Sequence, residues 1–332
     1  MARAHVEHAL TDGGPDGPID PEATSVEVSQ QVVGRSPWEL FWRRFRRDRW
    51  ALGGTFVVII MFAIALLSPV LASATHGPNE VHLDALDSFG IPTGPSATFP
   101  FGVDTAGRDL MVRVAYGART SLFIAFFATG IATLIGVTLG MLAGFYRGKI
   151  DTVISRTIDI VLSLPVLLLA LGLVSACGLS PNGCLGGIIK PGLLLVSYVI
   201  GLFSWPYIAR IVRGQVLSLR EKEFIESARS LGSTNRRIMF REVLPNVAAP
   251  IIVYTTLIIP NNILFEAALS FLGIGVPQKT PSWGRQLSDA GSIFTVAWWM
   301  MLFPGLFLFF TTLAFNLVGD GLRDALDPRT GG

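Results

Sequence analysis

Three features of the sequence predict an all-α membrane protein with six transmembrane helices and both termini in the cytoplasm. First, apolar residues make up 51% of the 332 positions and charged residues 15%, a ratio above three to one where soluble domains run nearer two to one. Second, six stretches lack Asp, Glu, Lys and Arg: residues 50–74, 120–146, 160–189, 191–209, 243–265 and 290–319. Each is long enough for a bilayer crossing, since about 20 apolar residues at 1.5 Å rise traverse ~30 Å of hydrocarbon. Only helices or closed barrels satisfy their backbone there, and strand-like alternation is absent. Third, 20 of the 26 basic residues fall in residues 1–49, 146–156, 210–246 and the tail after Gly319, with six in the alternate segments. Basic residues gather in cytoplasmic loops, which sets the orientation.

The same composition excludes a chain disordered throughout, and two cysteines exclude a disulfide scaffold. A net charge of +2 makes nucleic acid an improbable partner. Residues 1–36, rich in Gly, Pro, Asp and Glu, are expected to form a disordered cytoplasmic tail. Over residues 37–49, Trp38, Phe41, Trp42 and Phe45 recur at i, i+3, i+4 and i+7, with Arg43, Arg44, Arg46 and Arg47 largely on the other side. That pattern predicts an amphipathic interfacial helix, a plain positive flank being the alternative. The first span is residues 50–74. Ala72-Ser73-Ala74 has the look of a cleavage site, but the run is too late and too long for a signal h-region of about 7–15 residues. An extracytoplasmic loop over residues 75–119 follows, then the transmembrane core over 120–319. That core contains a cytoplasmic loop at 210–246, and residues 320–332 form a cytoplasmic C-terminal tail. Within the core, the third stretch must be trimmed at the turn cluster Gly178 to Gly187 and the last near Gly291.

Ionisable groups, costly within a bilayer and usual in ion-coupled carriers, are nearly missing from the spans. Asp159, near the inner end of the third, is expected to pair with Arg156. Glu266 is expected near the outer surface, either bonding a neighbouring helix or subunit or touching a transport path. The second span repeats small residues every four positions, Ala128, Ala132, Gly136, Gly140 and Gly144, a face that admits another helix closely, in this chain or a second one. Pro69, Pro165, Pro206, Pro250, Pro260 and Pro304 interrupt or bound spans and can kink them. Cys177 and Cys184 share a short outer loop and are either a disulfide or two separate thiols. No metal site is expected, because His5, His8, His76 and His82 all lie outside the spans and form no ligand cluster with the cysteines. No phosphate loop, nucleophile elbow or H-E-x-x-H is present.

Residues 210–245 are too charged for lipid and too patterned for a linker. Phe224, Ile225, Ala228 and Leu231 share one helical face, Gly232 suits a helix C-terminal turn, and a second helical stretch is expected at about 234–243. Glu226, Ala228, Gly232, Leu244 and Pro245 resemble the E-A-A, three residues, G, nine residues, I-x-L-P motif of ABC importer permeases. Ser227 replaces the usual Ala, and Glu242 the usual Ile. Three further segments are similar to the C-type permease subunit of the dipeptide/oligopeptide/nickel group. These are Phe101 to Asp109, with Val103 for Thr in G-T-D-x-x-G-R-D; Glu266 to Gly273 with Pro281-Ser282-Trp283-Gly284; and Asp320 to Pro328.

The resemblance covers about residues 38–329 and implies that residues 210–246 carry coupling helices that fit a cleft in a separate ATPase subunit. It implies Glu226, Ser227, Ala228, Leu231 and Gly232 as coupling contacts. Asp104, Arg108, Glu266 and Trp283 become candidates for the translocation path, the outer gate or contact with a binding protein, a membrane-interface anchor being as good a reading of Trp283. The implied partners are a second homologous permease subunit, two ATPases, an extracytoplasmic substrate-binding lipoprotein and a peptide substrate. The chain itself would be no enzyme and hold no cofactor, ATP and Mg belonging to the ATPases. Dipeptides or short oligopeptides are the expected cargo, with nickel as the alternative; a self-sufficient secondary transporter is disfavoured by the scarcity of midplane charge and the missing internal repeat.

Overall fold

The computed structural model describes residues 37–179 and 189–326. Residues 41 onward form one compact unit, while the preceding unit is described only from residue 37, at the start of the first helix. The helices are α1 (Pro37–Phe45), α2 (Arg49–Ala74), α3 (Leu110–Tyr146), α4 (Gly148–Ser163), α5 (Val166–Leu179), α6 (Leu193–Leu219), α7 (Glu223–Ser230), α8 (Asn235–Arg237), α9 (Leu244–Phe271), α10 (Trp283–Ala290) and α11 (Trp299–Leu326). Among the described residues β structure is confined to isolated bridges, including Leu86 with Pro92 and Val103 with Asp109.

Five segments are long and apolar enough to cross a membrane: α2, α3, α6, the run from α8 through α9, and α11. α4 and α5 qualify jointly as a sixth but meet at 86°. The break falls at Leu164-Pro165, where a proline cannot donate to the preceding turn and disfavours helix in the residue before it. The expected third span, 160–189, is therefore a bent pair whose first arm begins at Gly148. Pro69, Pro206, Pro250, Pro260 and Pro304 all stay inside continuous helices.

Helix ends differ from the edges of the uncharged stretches in a consistent way. α3 begins at Leu110 rather than 120, α6 runs to Leu219 rather than 209, and α11 continues to Leu326. Absence of charge marks the part of a helix that hydrocarbon must surround, and a helix keeps its hydrogen bonds beyond that layer, where charged side chains find water or protein partners. Local caps set the true starts. Asp48 accepts from Trp50 N at 2.8 Å to open α2, and Asp109 accepts from Met111 N at 2.9 Å to open α3. Between α8 and α9 the chain makes a π-helical turn, Ile238–Val243, so this stretch is one unbroken helix with a widened segment. α1 rests Phe41 and Phe45 against Ala51 and Ala325, which joins it to the start of α2 and the end of α11.

The small-residue face of α3 packs inside the chain, against α6. Gly136, Gly140 and Gly144 lie so close that an added Cβ would sit 2.7 Å from Ile208 Cβ, 2.6 Å from Ala209 O and 2.7 Å from Val216 Cβ respectively. Gly201 of α6 reciprocates, its missing side chain leaving room for Ala128 O at 2.9 Å. We expect Gly140→Leu to cost about 1–3 kcal/mol or more through overpacking, while Gly130→Leu on the open face of α3, where nothing lies within 4 Å, is tolerated. Thermal denaturation of both variants in detergent checks this; equal midpoints would remove the close contact as a source of stability.

Candidate functional site

At one end of the bundle, α6 leads through a short turn into α7 and α8, which form a platform over the ends of α3 and α4. Ile225 anchors it: fully buried, it packs in a cluster with Phe145, Ile158, Val216, Ile238 and Val243. Arg220 Nη1 donates to Phe145 O, and the guanidinium carbons of Arg220 and Arg229 stand 6.0 and 5.6 Å from the Phe145 ring centroid. Arg213 grips Asp151 with two bonds, Nε to Oδ1 at 2.5 Å and Nη2 to Oδ2 at 2.9 Å. Arg147, whose φ of 55° forms the corner between α3 and α4, pairs with Glu221 and holds that carboxyl below the usual carboxylate range. Burial in turn lowers Arg220 from its ordinary value.

Gly232 ends α7 with φ +81°. Ser233 N bonds Ala228 O at 3.0 Å and Gly232 N bonds Arg229 O at 2.9 Å, the paired pattern of a Schellman turn that needs a left-handed residue at this point. The turn splits the expected apolar face. Ile225 and Ala228 pack inward, but α7 stops at Ser230, so Leu231 is thrown outward and is 86% exposed, and Phe224 is 39% exposed. Glu226, Ser227 and Gly232 are exposed as well. The platform is thus held rigidly from beneath and presents a short surface of Glu226, Ser227, Leu231 and Gly232.

At the opposite end, the segment between α2 and α3 folds around buried charges. Asp104 accepts from the backbone of Ala106 and Arg108 at 2.9 and 3.0 Å and from Arg108 Nε at 2.7 Å. Its Oδ2 lies 3.2 Å from Arg113 Nε. Arg113 is fully buried, and its Nη1 donates to Pro78 O at 2.9 Å and Asn79 Oδ1 at 3.1 Å. Gly107 permits the turn: its φ is +74°, and a Cβ would fall 2.5 Å from His82 O. Glu266 is wholly buried, accepting from Ser121 Oγ at 2.9 Å and Ser270 Oγ at 2.7 Å. Trp283 is also wholly buried, lies against Gly117 and donates Nε1 to Val114 O at 3.1 Å, so its ring meets α3 and not a membrane surface. Asp104, Arg108, Glu266 and Trp283 therefore share one end of the bundle, each tied to partners within the chain.

Two segments, one at each end of the chain, match known families: residues 136–332 the family described as binding-protein-dependent transport system inner membrane component, and residues 36–89 the N-terminal TM domain of oligopeptide transport permease C. The chain belongs to this family of membrane transport permeases. It is 39% identical over 311 residues to the dipeptide transport system permease protein DppC of Alkalihalophilus pseudofirmus, covering 94% of this chain and 96% of that one. It is 39% identical to the glutathione transport system permease protein GsiD of Pectobacterium atrosepticum, over 89% and 92% of the two chains, and 40% identical to GsiD of Escherichia coli O157:H7, over 90% and 92%. Among solved structures, the inward-facing MetNI methionine ABC transporter superposes with a TM-score of 0.53 at 20% identity, covering 66% of this chain and 96% of that one; this likeness concerns the fold.

For a permease of this family, the sequence motifs mark both ends of the bundle but miss the residues that fix them. Asp159 pairs with Arg210 at 2.8 Å and not with Arg156, because its partner comes from α6 and not its own helix. Arg113, Arg147 and Arg220 carry no sequence signal beyond their charge. Cys177 is buried on α5 and is not a free thiol; Cys184, its candidate disulfide partner, lies outside the described residues, as do the tail 1–36, His5, His8 and the last six residues. We expect Asp104→Ala to destabilise the permease by about 3–5 kcal/mol, since it strands the buried Arg113 charge, and a combined Asp104→Leu, Arg113→Met change to recover much of the loss. Thermal midpoints of the purified variants measure both, and an unchanged midpoint for Asp104→Ala would show that the pair contributes nothing.

Proposed function

We propose that this chain is one permease subunit of an ATP-driven importer of short peptides, with six spans, cytoplasmic termini and the α7–α8 platform on the cytoplasmic side. The observation that carries the reading is the platform: a helix and Schellman turn braced from beneath by Ile225, Phe145 and Arg220, with Glu226, Ser227, Leu231 and Gly232 turned outward. A large exposed leucine beside a tight turn suits insertion into a cleft on another protein. In this reading the cleft belongs to one of two ATPase subunits, which bind ATP and Mg. A second, related permease subunit completes the path, and an extracytoplasmic binding lipoprotein delivers the cargo to the end that carries α10. The buried Asp104–Arg108–Arg113 cluster and the Glu266 and Trp283 contacts brace that outer end, so that ATP-driven movement of the platform is passed to the spans as a change between two states.

Short peptides are the cargo class that covers both the dipeptides and the glutathione named for the relatives. The continuous run from α8 into α9 supports the coupling role, since platform and membrane segment share one backbone.

The test is ATP-driven dipeptide uptake by the assembled transporter in proteoliposomes, comparing the unaltered chain with Gly232→Val. A side chain at Gly232 meets open space within the chain, so its local cost is the ~1–2 kcal/mol of left-handed strain, too small to prevent insertion. Uptake is expected to fall at least about tenfold, the scale of one disturbed contact, while the ATPases still hydrolyse ATP. Normal uptake by Gly232→Val would remove the coupling assignment.

A further inference from the structure

α6 and α9 leave a cleft between them whose character differs from the rest of the membrane surface. Its volume is about 660 Å³, within the ~300–1,000 Å³ of small-molecule sites. Val166 of α5 closes one side, α6 gives Ser204 and Tyr207, and α9 gives among others Tyr254, Leu257, Asn261, Asn262 and Phe265. These α9 positions recur at i, i+3, i+7, i+8 and i+11 and so form one stripe. Measured at 1.5 Å per residue from the centres of the uncharged stretches 191–209 and 243–265, Tyr254 lies at the centre and Tyr207 and Asn261 each about 11 Å from it. All three positions fall within the ~30 Å hydrocarbon layer.

Polar groups at that depth face water or protein, because lipid gives them no partner. Tyr207 is 57% exposed. Asn261 is exposed too, its Nδ2 donating to Leu257 O at 3.0 Å while Oδ1 has no donor among the described residues. Asn262 beside it lines the cleft too but is satisfied by Ser204 and Thr129, each at 2.8 Å, so Asn261 carries the open amide of the cleft. One turn along α6 toward α7, the Arg210–Asp159 ion pair stands more than half exposed on both sides, which lipid would penalise further. The groove on the other side of α9 is the contrast: Leu134, Val137, Met141, Phe240, Ile251 and Ile252 line it, a surface fit for acyl chains.

We propose that the α6–α9 cleft is the half-path this chain contributes to translocation, and that it holds the peptide through neutral groups, Asn261 and Tyr207 meeting the backbone amides of the cargo. This rests on the importer reading above and adds a substrate chemistry to it. An amide and phenols exchange hydrogen bonds with any peptide backbone, and the cleft walls carry no charge, so side-chain charge on the cargo finds neither a partner nor a repelling group. The chain then discriminates by backbone and size, and leaves side-chain selection to other components.

The experiment uses the assembled transporter in proteoliposomes, with Tyr207→Cys, Asn261→Cys and Ile252→Cys tested singly against a membrane-impermeant methanethiosulfonate reagent, the unmodified chain serving as baseline. Ile252 sits nine residues from Asn261, on the opposite face of α9, and is 51% exposed. Tyr207→Cys and Asn261→Cys are expected to react, at rates that change on vanadate trapping, and Ile252→Cys is not. Asn261→Leu is expected to lower dialanine uptake about tenfold, the scale of one lost polar contact, and Asn261→Asp to lower uptake of a doubly acidic dipeptide more than that of dialanine. Absence of labelling at Tyr207→Cys and Asn261→Cys in both states, or their cross-linking to the second permease subunit, would overturn the path and make this face a subunit contact. Failure of the unaltered complex to accumulate dialanine with ATP would instead overturn the importer reading, while the labelling pattern still decides whether the cleft is wet.

Discussion

The near-contact of α3 with α6 is the constraint on which the rest of the structure depends. In a bilayer the hydrophobic effect does not drive two apolar helices together, so their association relies on close packing. Gly136, Gly140 and Gly144 supply it by letting the α6 backbone and its β-branched side chains reach the α3 axis. Everything on α6 takes its position from that contact: Ala209 and Val212 face α3, Tyr207 and Arg210 face away, and the chain leaves α6 at a fixed point to begin α7. α3 reaches both ends of the molecule. Its first turns carry Arg113 and receive Trp283, and its last turn offers Phe145 to Arg220 and Arg229.

Charge is distributed accordingly. At the α10 end Arg113 is buried and strapped to fixed oxygens, those of Pro78 and Asn79. Arginine at the platform end is part-exposed and braces one helix against another, as Arg213 does through Asp151 and Arg147 through Glu221. Buried pairs hold a unique geometry at the expense of desolvation, whereas part-exposed pairs contribute little stability individually and can exchange partners. The two ends thus differ in kind: a buried, specific pairing at one, and part-exposed pairs that can exchange partners at the other.

The spans were legible because hydrocarbon imposes a simple rule on sequence, absence of charge over some twenty positions, and that rule located the central part of every long helix. It could not locate helix ends, where caps such as Asp109 decide, nor the sharp bend at Pro165, since other prolines in this chain are absorbed without a break. The platform was legible as well: Gly232 announces a left-handed turn, and the chain makes one. What escaped were pairings between distant positions. Glu266 is satisfied by Ser121, 145 residues away, and Asp159 by Arg210, 51 residues away; neither leaves a local pattern. Leu231 read as sharing one helical face with Ile225 and Ala228 because periodicity assumes the helix continues, and α7 ends one residue earlier.

The π-turn at Ile238–Val243 has a mechanical consequence. A flexible loop at that place would act as slack, dissipating any displacement of α7 and α8 as conformational entropy. An unbroken run of 37 residues from Asn235 to Phe271 is instead a lever about 55 Å long. Under the coupling proposed above, such a lever would carry a tilt of the platform to the stripe that holds Tyr254 and Asn261, with the turns around Pro250 and Pro260, which lack a backbone donor, as the points where the shaft can flex.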